Sequence, residues 1–200
     1  VGCFLSNEYL DSFPVHQVTI REGVLQEVYV TVAGEELETR LGEPSTPALA
    51  ERLVNLGIEL KEGQTAEISL GLDSWVETVA DSLEAGFLLS VDYGDTAAEI
   101  YSSERRYRGT LTTYHRHIQT DDPFRHIGRQ DMTAQVDFTS VIEAGRRVGL
   151  EPLGYISQGE FLRNLGIGQI QRKLTSPGLS QTETDANRAG ILDLTRTGGL

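Results

Sequence analysis

Apolar residues fall in short runs and narrow stripes along the chain, and their spacing changes from one stretch to the next. Val1-Gly2-Cys3-Phe4-Leu5 is a continuous apolar run that ends at Ser6-Asn7-Glu8, the mark of a strand buried on both faces. Asp11 follows, and Pro14 stops any long helix directly behind the run. Segments 15–21 and 25–33 alternate and are rich in Val, Thr and Ile; Glu22-Gly23 between them predicts a β-hairpin. Residues 35–47 carry charges, Gly42, Pro44 and Pro47, and read as a loop. Pro47 suits the first turn of a helix over 47–56, with Leu49, Leu53 and Leu56 on one stripe.

Ile68 and Leu70 alternate briefly before a helix over 73–84. There Ser74 and Glu77 have capping-box spacing, and Trp75, Val79 and Leu83 recur every four residues. Gly86 closes that helix. Phe87-Leu88-Leu89-Ser90-Val91 is a second short buried strand, and it too runs into an acid, Asp92-Tyr93-Gly94. Residues 95–109, with Arg105, Arg106 and Arg108, read as a mobile loop; 110–118 is β-rich, 121–123 a turn and 124–136 irregular. The rest predicts a helix over 137–148 with Phe138, Val141, Ile142 and Gly145 inward, then a third strand over 150–157. A helix holding Phe161, Leu162 and Leu165, a polar linker over 173–184 and a short helix over 185–195 follow.

Strands alternating with helices predict an α/β fold, an open and mainly parallel sheet covered by helices. Ligands of such sheets bind beyond the carboxyl ends of the strands. Asn7, Glu8 and Asp11 follow one strand, Asp92 and Tyr93 another, so these groups are expected at one shared edge.

Composition narrows the function classes. The 200 residues suffice for one domain with a sizeable core. A formal charge of −13 argues against nonspecific binding to nucleic acid, which needs Lys and Arg, and would suit a cationic partner. No apolar run approaches the ~20 residues that span a bilayer. The single cysteine, Cys3, excludes an internal disulfide, and its place in a buried strand predicts an inert thiol. The chain starts inside a strand and its only methionine is Met132, so it reads as a single partial domain, truncated at both ends.

Asn7-Glu8-Tyr9-Leu10-Asp11 is the most suggestive segment. A carboxylate and a carboxamide past a buried strand can hold a donor-rich nucleophile, and carboxylates pair well with a guanidinium. Asn7 and Asp11 also suit caps on a short helix. Asp92-Tyr93 could position substrate or cofactor, or simply end a strand in a turn. His115 and His117, two apart on a β-rich segment, could join His126, Asp131 or Asp137 around a metal, though no third ligand sits at a diagnostic spacing. The chain has no GxGxxG, Walker, GxSxG, HExxH or CxxC motif.

Five ordered segments carry a family likeness: SNEYLDSFPVHQV at 6–18, GFLLSVDYG at 86–94, YRGTLTTYHRH at 107–117, DDPFRHIGRQDMTAQVDFTSV at 121–141 and GYISQGEFLRNLGI at 154–167. They resemble the MidA-like family of class I S-adenosylmethionine-dependent methyltransferases, relatives of the mitochondrial complex I assembly arginine methyltransferase. The resemblance implies a partial Rossmann-like fold in which the strands ending at Asn7, Val91 and residue 157 are the fourth to sixth, with 15–33 an inserted hairpin. It places the glycine-rich cofactor loop upstream of Val1 and a final strand after Gly198-Gly199.

By the same likeness Asn7, Glu8 and Asp11 sit beside the transferred methyl of S-adenosylmethionine as catalytic residues. Asp92, Tyr93, Gln130 and Asp131 are implied on the substrate side, and Gln135 stands where the family commonly has histidine. The implied substrate is a protein arginine side chain, with no metal, nucleic acid or membrane span. Unpaired strand edges invite association, a homodimer included. The implied location is cytoplasmic in a bacterium and mitochondrial in a eukaryote. The rival readings are a noncatalytic assembly factor on the same fold and, further off, a metal-dependent hydrolase or oxygenase.

Overall fold

A computed structural model describes residues 1–116, 118–174 and 178–196. Its elements in chain order are β1 (Gly2–Asn7), β2 (His16–Arg21), β3 (Val24–Ala33), β4 (Glu36–Gly42), α1 (Ala48–Asn55), β5 (Thr65–Ile68), α2 (Gly71–Ser82) and β6 (Gly86–Val91). Then come β7 (Gly94–Asp95), α3 (Ala97–Ile100), β8 (Thr112–His115), β9 (Ile118–Thr120), β10 (Asp131–Thr133), β11 (Val136–Asp137) and α4 (Phe138–Arg147). Helices α5 (Gln158–Asn164), α6 (Ile167–Leu174) and α7 (Gln181–Thr195) end the series. Two compact units divide the chain, Val1–Glu151 and Pro152–Leu200.

In the first unit β1 and β6 form a parallel pair in full register, Gly2 beside Gly86 through to Asn7 beside Val91. The two strands meet closely at the start. A Cβ on Gly86, at φ 146°, would lie 1.8 Å from the Gly2 carbonyl oxygen, so only glycine fits. Gly86 therefore opens a strand and does not cap the preceding helix, which stops at Leu83. That helix also starts earlier than its capping-box spacing predicts. Ser74 lies inside α2 and donates to the Gly71 carbonyl at 3.0 Å, and the buried stripe is Leu72, Val76 and Val79.

Strands β4, β3, β2 and β5 form an antiparallel sheet in that order. Glu22 and Gly23 both hold positive φ, 53° and 74°, the two-residue turn that matches the twist of the β2–β3 hairpin. Residues 36–42 are a strand and not a loop. Leu37, Thr39 and Leu41 alternate with Glu36, Glu38 and Arg40, a period of two that lets β4 pair with β3 along its whole length. The main core lies against this sheet: Val18, Leu49, Leu53, Ala66, Ile68, Ala97, Ile100 and Tyr101. Part of it comes from α3, inside the stretch read as a mobile loop, because one turn of helix suffices to bury Ala97 and Ile100.

Buried carboxylates stitch the same sheet. Glu27, 5% exposed, accepts from His16 Nδ1 at 2.7 Å, the Ser45 amide at 2.6 Å and the Tyr29 hydroxyl at 3.1 Å. Glu67 accepts from Gln17 at 3.0 Å and from the Thr110 amide at 2.6 Å. A second cluster, Leu10, Leu72 and Val136 with Phe13, Trp75, Phe138 and Val141, sits under the turn after β1.

Both strands of the parallel pair were expected to be buried, and they are not. Phe4 is 39%, Leu5 68% and Phe87 61% exposed, and Cys3 is exposed as well. Burial on both faces needs covering layers, and the described residues put none over these side chains. The third expected strand, 150–157, makes no ladder. Leu153, Tyr155 and Ile156 are exposed, and a strand exists only where a neighbour takes its backbone groups.

The second unit packs α5, α6 and α7 together around Ile191. Helix α7 starts inside the span read as a linker, because Ser180 and Glu183 form a complete capping box there. Residues 175–177, the middle of that linker, and Gly198-Gly199 lie outside the described residues. Among the described residues no helix is long and apolar enough to cross a membrane.

Candidate active site

Beyond the carboxyl ends of β1 and β6 the chain turns, and the two turns lock together. The Glu8 amide donates to the Val91 carbonyl at 2.9 Å. Asp92 then gathers three amides: Tyr9 at 3.0 Å and Leu10 at 2.7 Å on one carboxylate oxygen, Tyr93 at 2.9 Å on the other. No helix follows Asn7, so neither Asn7 nor Asp11 is a helix cap. The Tyr93 hydroxyl donates to Glu8 Oε1 at 3.3 Å. Leu10 and Asp11 are buried at 3% and 8%, whereas Asn7 and Glu8 face solvent.

Backbone and charge both show tension at this edge. Glu8 holds φ at 47°, a left-handed conformation that costs a non-glycine residue on the order of 1 kcal/mol and that clusters at functional sites. Burial pushes the Asp11 carboxyl above its usual range, and the charges of Asp92 and Glu8 push it further; the amides of Ser12 and Asp11 only partly offset this. The Tyr93 hydroxyl is likewise raised by burial, then by the charge and hydrogen bond of Glu8, by Asp11 and by Tyr114.

A third segment closes the arrangement from the side. The Ala134 amide donates to the Asp11 carbonyl at 3.0 Å, Gln135 to the Thr110 hydroxyl at 3.1 Å, and Val136 to the Tyr93 carbonyl at 2.8 Å. Residues 134–136 thus tie the turns after both strands to one another. The sequence reads 124–136 only as irregular, because backbone donors have no residue signature. Tyr9, Phe13 and Trp75 pack edge-on beneath the first turn, with ring centroids 5.1 Å apart for Tyr9 and Phe13 and 6.4 Å for Phe13 and Trp75.

The structure brings Glu8, Asp11, Asp92 and Tyr93 together, with Asn7 at the strand end beside Val91. Gln130 and Asp131 make no hydrogen bond to these groups. Gln130 donates to the Pro123 carbonyl at 2.7 Å, and Asp131, on β10, stands opposite Tyr114 of β8. A small cavity behind Leu10, walled by Arg52, Glu67, Tyr101 and Asp137, has room for a water-sized occupant only.

Of the metal candidates, His115 and His126 stack at 4.1 Å, and His115 Nδ1 donates to the Arg129 carbonyl at 2.6 Å. Asp137 is buried as the N-cap of α4, its carboxylate taken by Ser140. His117 lies outside the described residues. No three His, Cys, Asp or Glu side chains gather as metal ligands among the described residues.

Residues 1–156 match the model of a protein family described as "Putative S-adenosyl-L-methionine-dependent methyltransferase". The chain belongs to this methyltransferase family. Its curated relatives include the mitochondrial protein arginine methyltransferase NDUFAF7 homologs of Caenorhabditis elegans and Drosophila melanogaster. The first is 30% identical over 186 residues, covering 86% of this chain and 39% of the relative; the second is 27% identical over 167 residues, covering 80% and 36%.

Among solved structures, a Burkholderia thailandensis protein described as a "likely methyl transferase" and bound to S-adenosyl-homocysteine superposes with a TM-score of 0.86 at 30% identity. It covers 96% of this chain and 49% of that one. A native crystal structure of a superfamily protein from the same organism gives 0.87 at 31% identity, covering 96% and 50%. The α/β fold and the MidA-like family membership agree with these matches. The chain spans under two fifths of the curated relatives it matches and about half of the solved chains.

Proposed function

We propose that the protein is an S-adenosylmethionine-dependent methyltransferase acting on protein arginine, and that the strand-end turns carrying Glu8 and Tyr93 are the acceptor side of its cleft. The supporting observation is the convergence of Glu8, Asp11 and Tyr93 on one edge, held there by the grip of Asp92 on the Tyr9 and Leu10 amides. The arginine assignment follows the names of the two curated relatives, and it suits a cluster of carboxylates at an exposed edge. Those names also suggest mitochondrial residence in a eukaryotic cell.

When bound, S-adenosylmethionine supplies a methyl already activated on a sulfonium, so the protein's share is alignment and charge placement. A cationic donor fits an edge with three carboxylates, none of them ion-paired among the described residues. In this reading Asn7 and Glu8 stand nearest the transferred methyl, and the purine and ribose are held by parts of the family fold outside the matched span. The Glu8 carboxylate binds one edge of the guanidinium and aims its nitrogen lone pair. Tyr93 holds that carboxylate in place. Asp11, whose affinity for a proton is raised, takes the proton that the methylated nitrogen sheds late in the transfer. Asp92 acts as a positioning residue, since both its oxygens are already engaged by backbone amides. Gln130 and Asp131 border the substrate path from the β8–β10 side.

The test is methyl transfer from labelled S-adenosylmethionine to an arginine peptide by the full-length protein. Glu8→Gln is expected to lower turnover about 100-fold or more while leaving cofactor affinity within about threefold. Unchanged turnover removes Glu8 from the site. Cofactor binding with no transfer to any arginine peptide would favour a noncatalytic assembly factor. The 200-residue chain alone is expected to bind S-adenosylmethionine weakly, and micromolar binding by calorimetry would overturn the placement of the purine contacts.

A further inference from the structure

We propose that β4 is the seat of a two-fold dimer, in which a second copy of the chain lays its own β4 antiparallel along the free edge, with Thr39 on the axis. Strand β4 is the outermost of its sheet, bonded to β3 on one side only. It runs seven residues with no proline and no bulge, and such an edge offers an unbroken row of backbone donors and acceptors. Glu36, Glu38, Thr39, Arg40 and Leu41 are exposed, and neither Glu38 nor Arg40 has an ion-pair partner among the described residues.

The sequence of the strand is complementary to itself when reversed. With Thr39 facing Thr39, Glu38 of each copy faces Arg40 of the other, and Leu37 of each faces Leu41 of the other. All seven residues from Glu36 to Gly42 overlap. Moving the axis to Glu38 or to Arg40 sets like charges directly opposite each other and shortens the overlap, and both changes disfavour pairing. Side-chain alternation excludes an axis between residues, because it would pair side chains from opposite faces.

Leu37, Thr39 and Leu41 share their face with Val32, Val30 and Val28 of β3, their register partners. Val30 and Val32 are 59% and 67% exposed, so the apolar stripe continues across the junction into the second copy. Glu35 and Glu43 lie past the strand ends, outside the paired ladder. The proposal is independent of the methyl-transfer reading.

Charge reversal tests it on the full-length protein by sedimentation velocity. The unaltered protein is expected to dimerise at tens of micromolar, on the scale of other modest strand-edge contacts. Arg40→Glu and Glu38→Arg should each raise the dissociation constant about tenfold or more, because each puts like charges opposite twice. The double variant Glu38→Arg/Arg40→Glu should dimerise again, and an equimolar mixture of the two single variants should form a mixed dimer. In a Cys3→Ser background, Thr39→Cys should give a symmetric disulfide on mild oxidation, and Val32→Cys, also exposed but on β3, should not. A monomer at all concentrations overturns the proposal. So does a dimer indifferent to both reversals, which would assign association to another face, or capture of a different protein's strand by β4 with no self-association.

Discussion

The antiparallel sheet β4-β3-β2-β5 seals its inner face under α1 and α3, whereas the parallel pair β1–β6 leaves Phe4, Leu5 and Phe87 in solvent. The candidate chemistry belongs to the pair, not to the sealed sheet. What steadies it is therefore not burial of the strands that lead to it. Two devices substitute: the Asp92 carboxylate gripping three amides, and the 134–136 segment stapling both turns. Stability and function draw on different parts of the same unit, and substitutions can separate them.

The sharpest contrast is between two leucines. Leu49→Ala, at a fully buried position, is expected to lower the unfolding free energy by about 3 kcal/mol in urea titration. Leu5→Ala, at 68% exposure, should change it by under about 0.5 kcal/mol. Equal losses would erase the distinction between the sheets.

Acid should attack the sealed sheet in a defined window. Burial alone would raise the Glu27 carboxyl, but hydrogen bonds from His16, Ser45 and Tyr29 outweigh it and hold the group down from 4.5 to about 2. A depressed carboxyl stabilises the fold above its unfolded value and loses that contribution as the pH falls toward the folded one. The loss, on the order of 3 kcal/mol, should therefore appear between pH 4.5 and about 2 in stability measurements, and Glu27→Gln should flatten that slope.

Asp92→Ala should cost about 2 kcal/mol and show up locally, as faster hydrogen exchange at the Tyr9 and Leu10 amides. Unaltered exchange there would mean that the turn holds itself. At Glu8 stability and activity should part company. Glu8→Gly removes the left-handed strain but loosens the unfolded chain, so stability should shift by less than about 1 kcal/mol while methyl transfer is lost.

The rule that open sheets bind ligands at strand ends made Glu8, Asp11, Asp92 and Tyr93 legible as neighbours from their positions behind two apolar runs. The amides of Tyr9, Leu10 and Ala134 stayed hidden, because every residue but proline carries the same donor. Strand β4 was obscured for another reason: it is an edge with solvent on both faces, so its charges masked its alternation. Helix α3 is too short to show a period. Cys3 and Phe4 misled in the opposite sense, because an apolar run reports that a strand suits two covering layers, not that those layers are present. The 150–157 run misled in the same way.

Gly2 and Gly86 work like the gauge of a railway track. Where the rails start they can run no closer, and beyond the last sleeper, Asn7 beside Val91, Glu8 and Tyr93 reach across at 3.3 Å. A methyl group added at Gly86 would widen the track at its origin. The damage would then be read at the far end, as a handshake that no longer reaches.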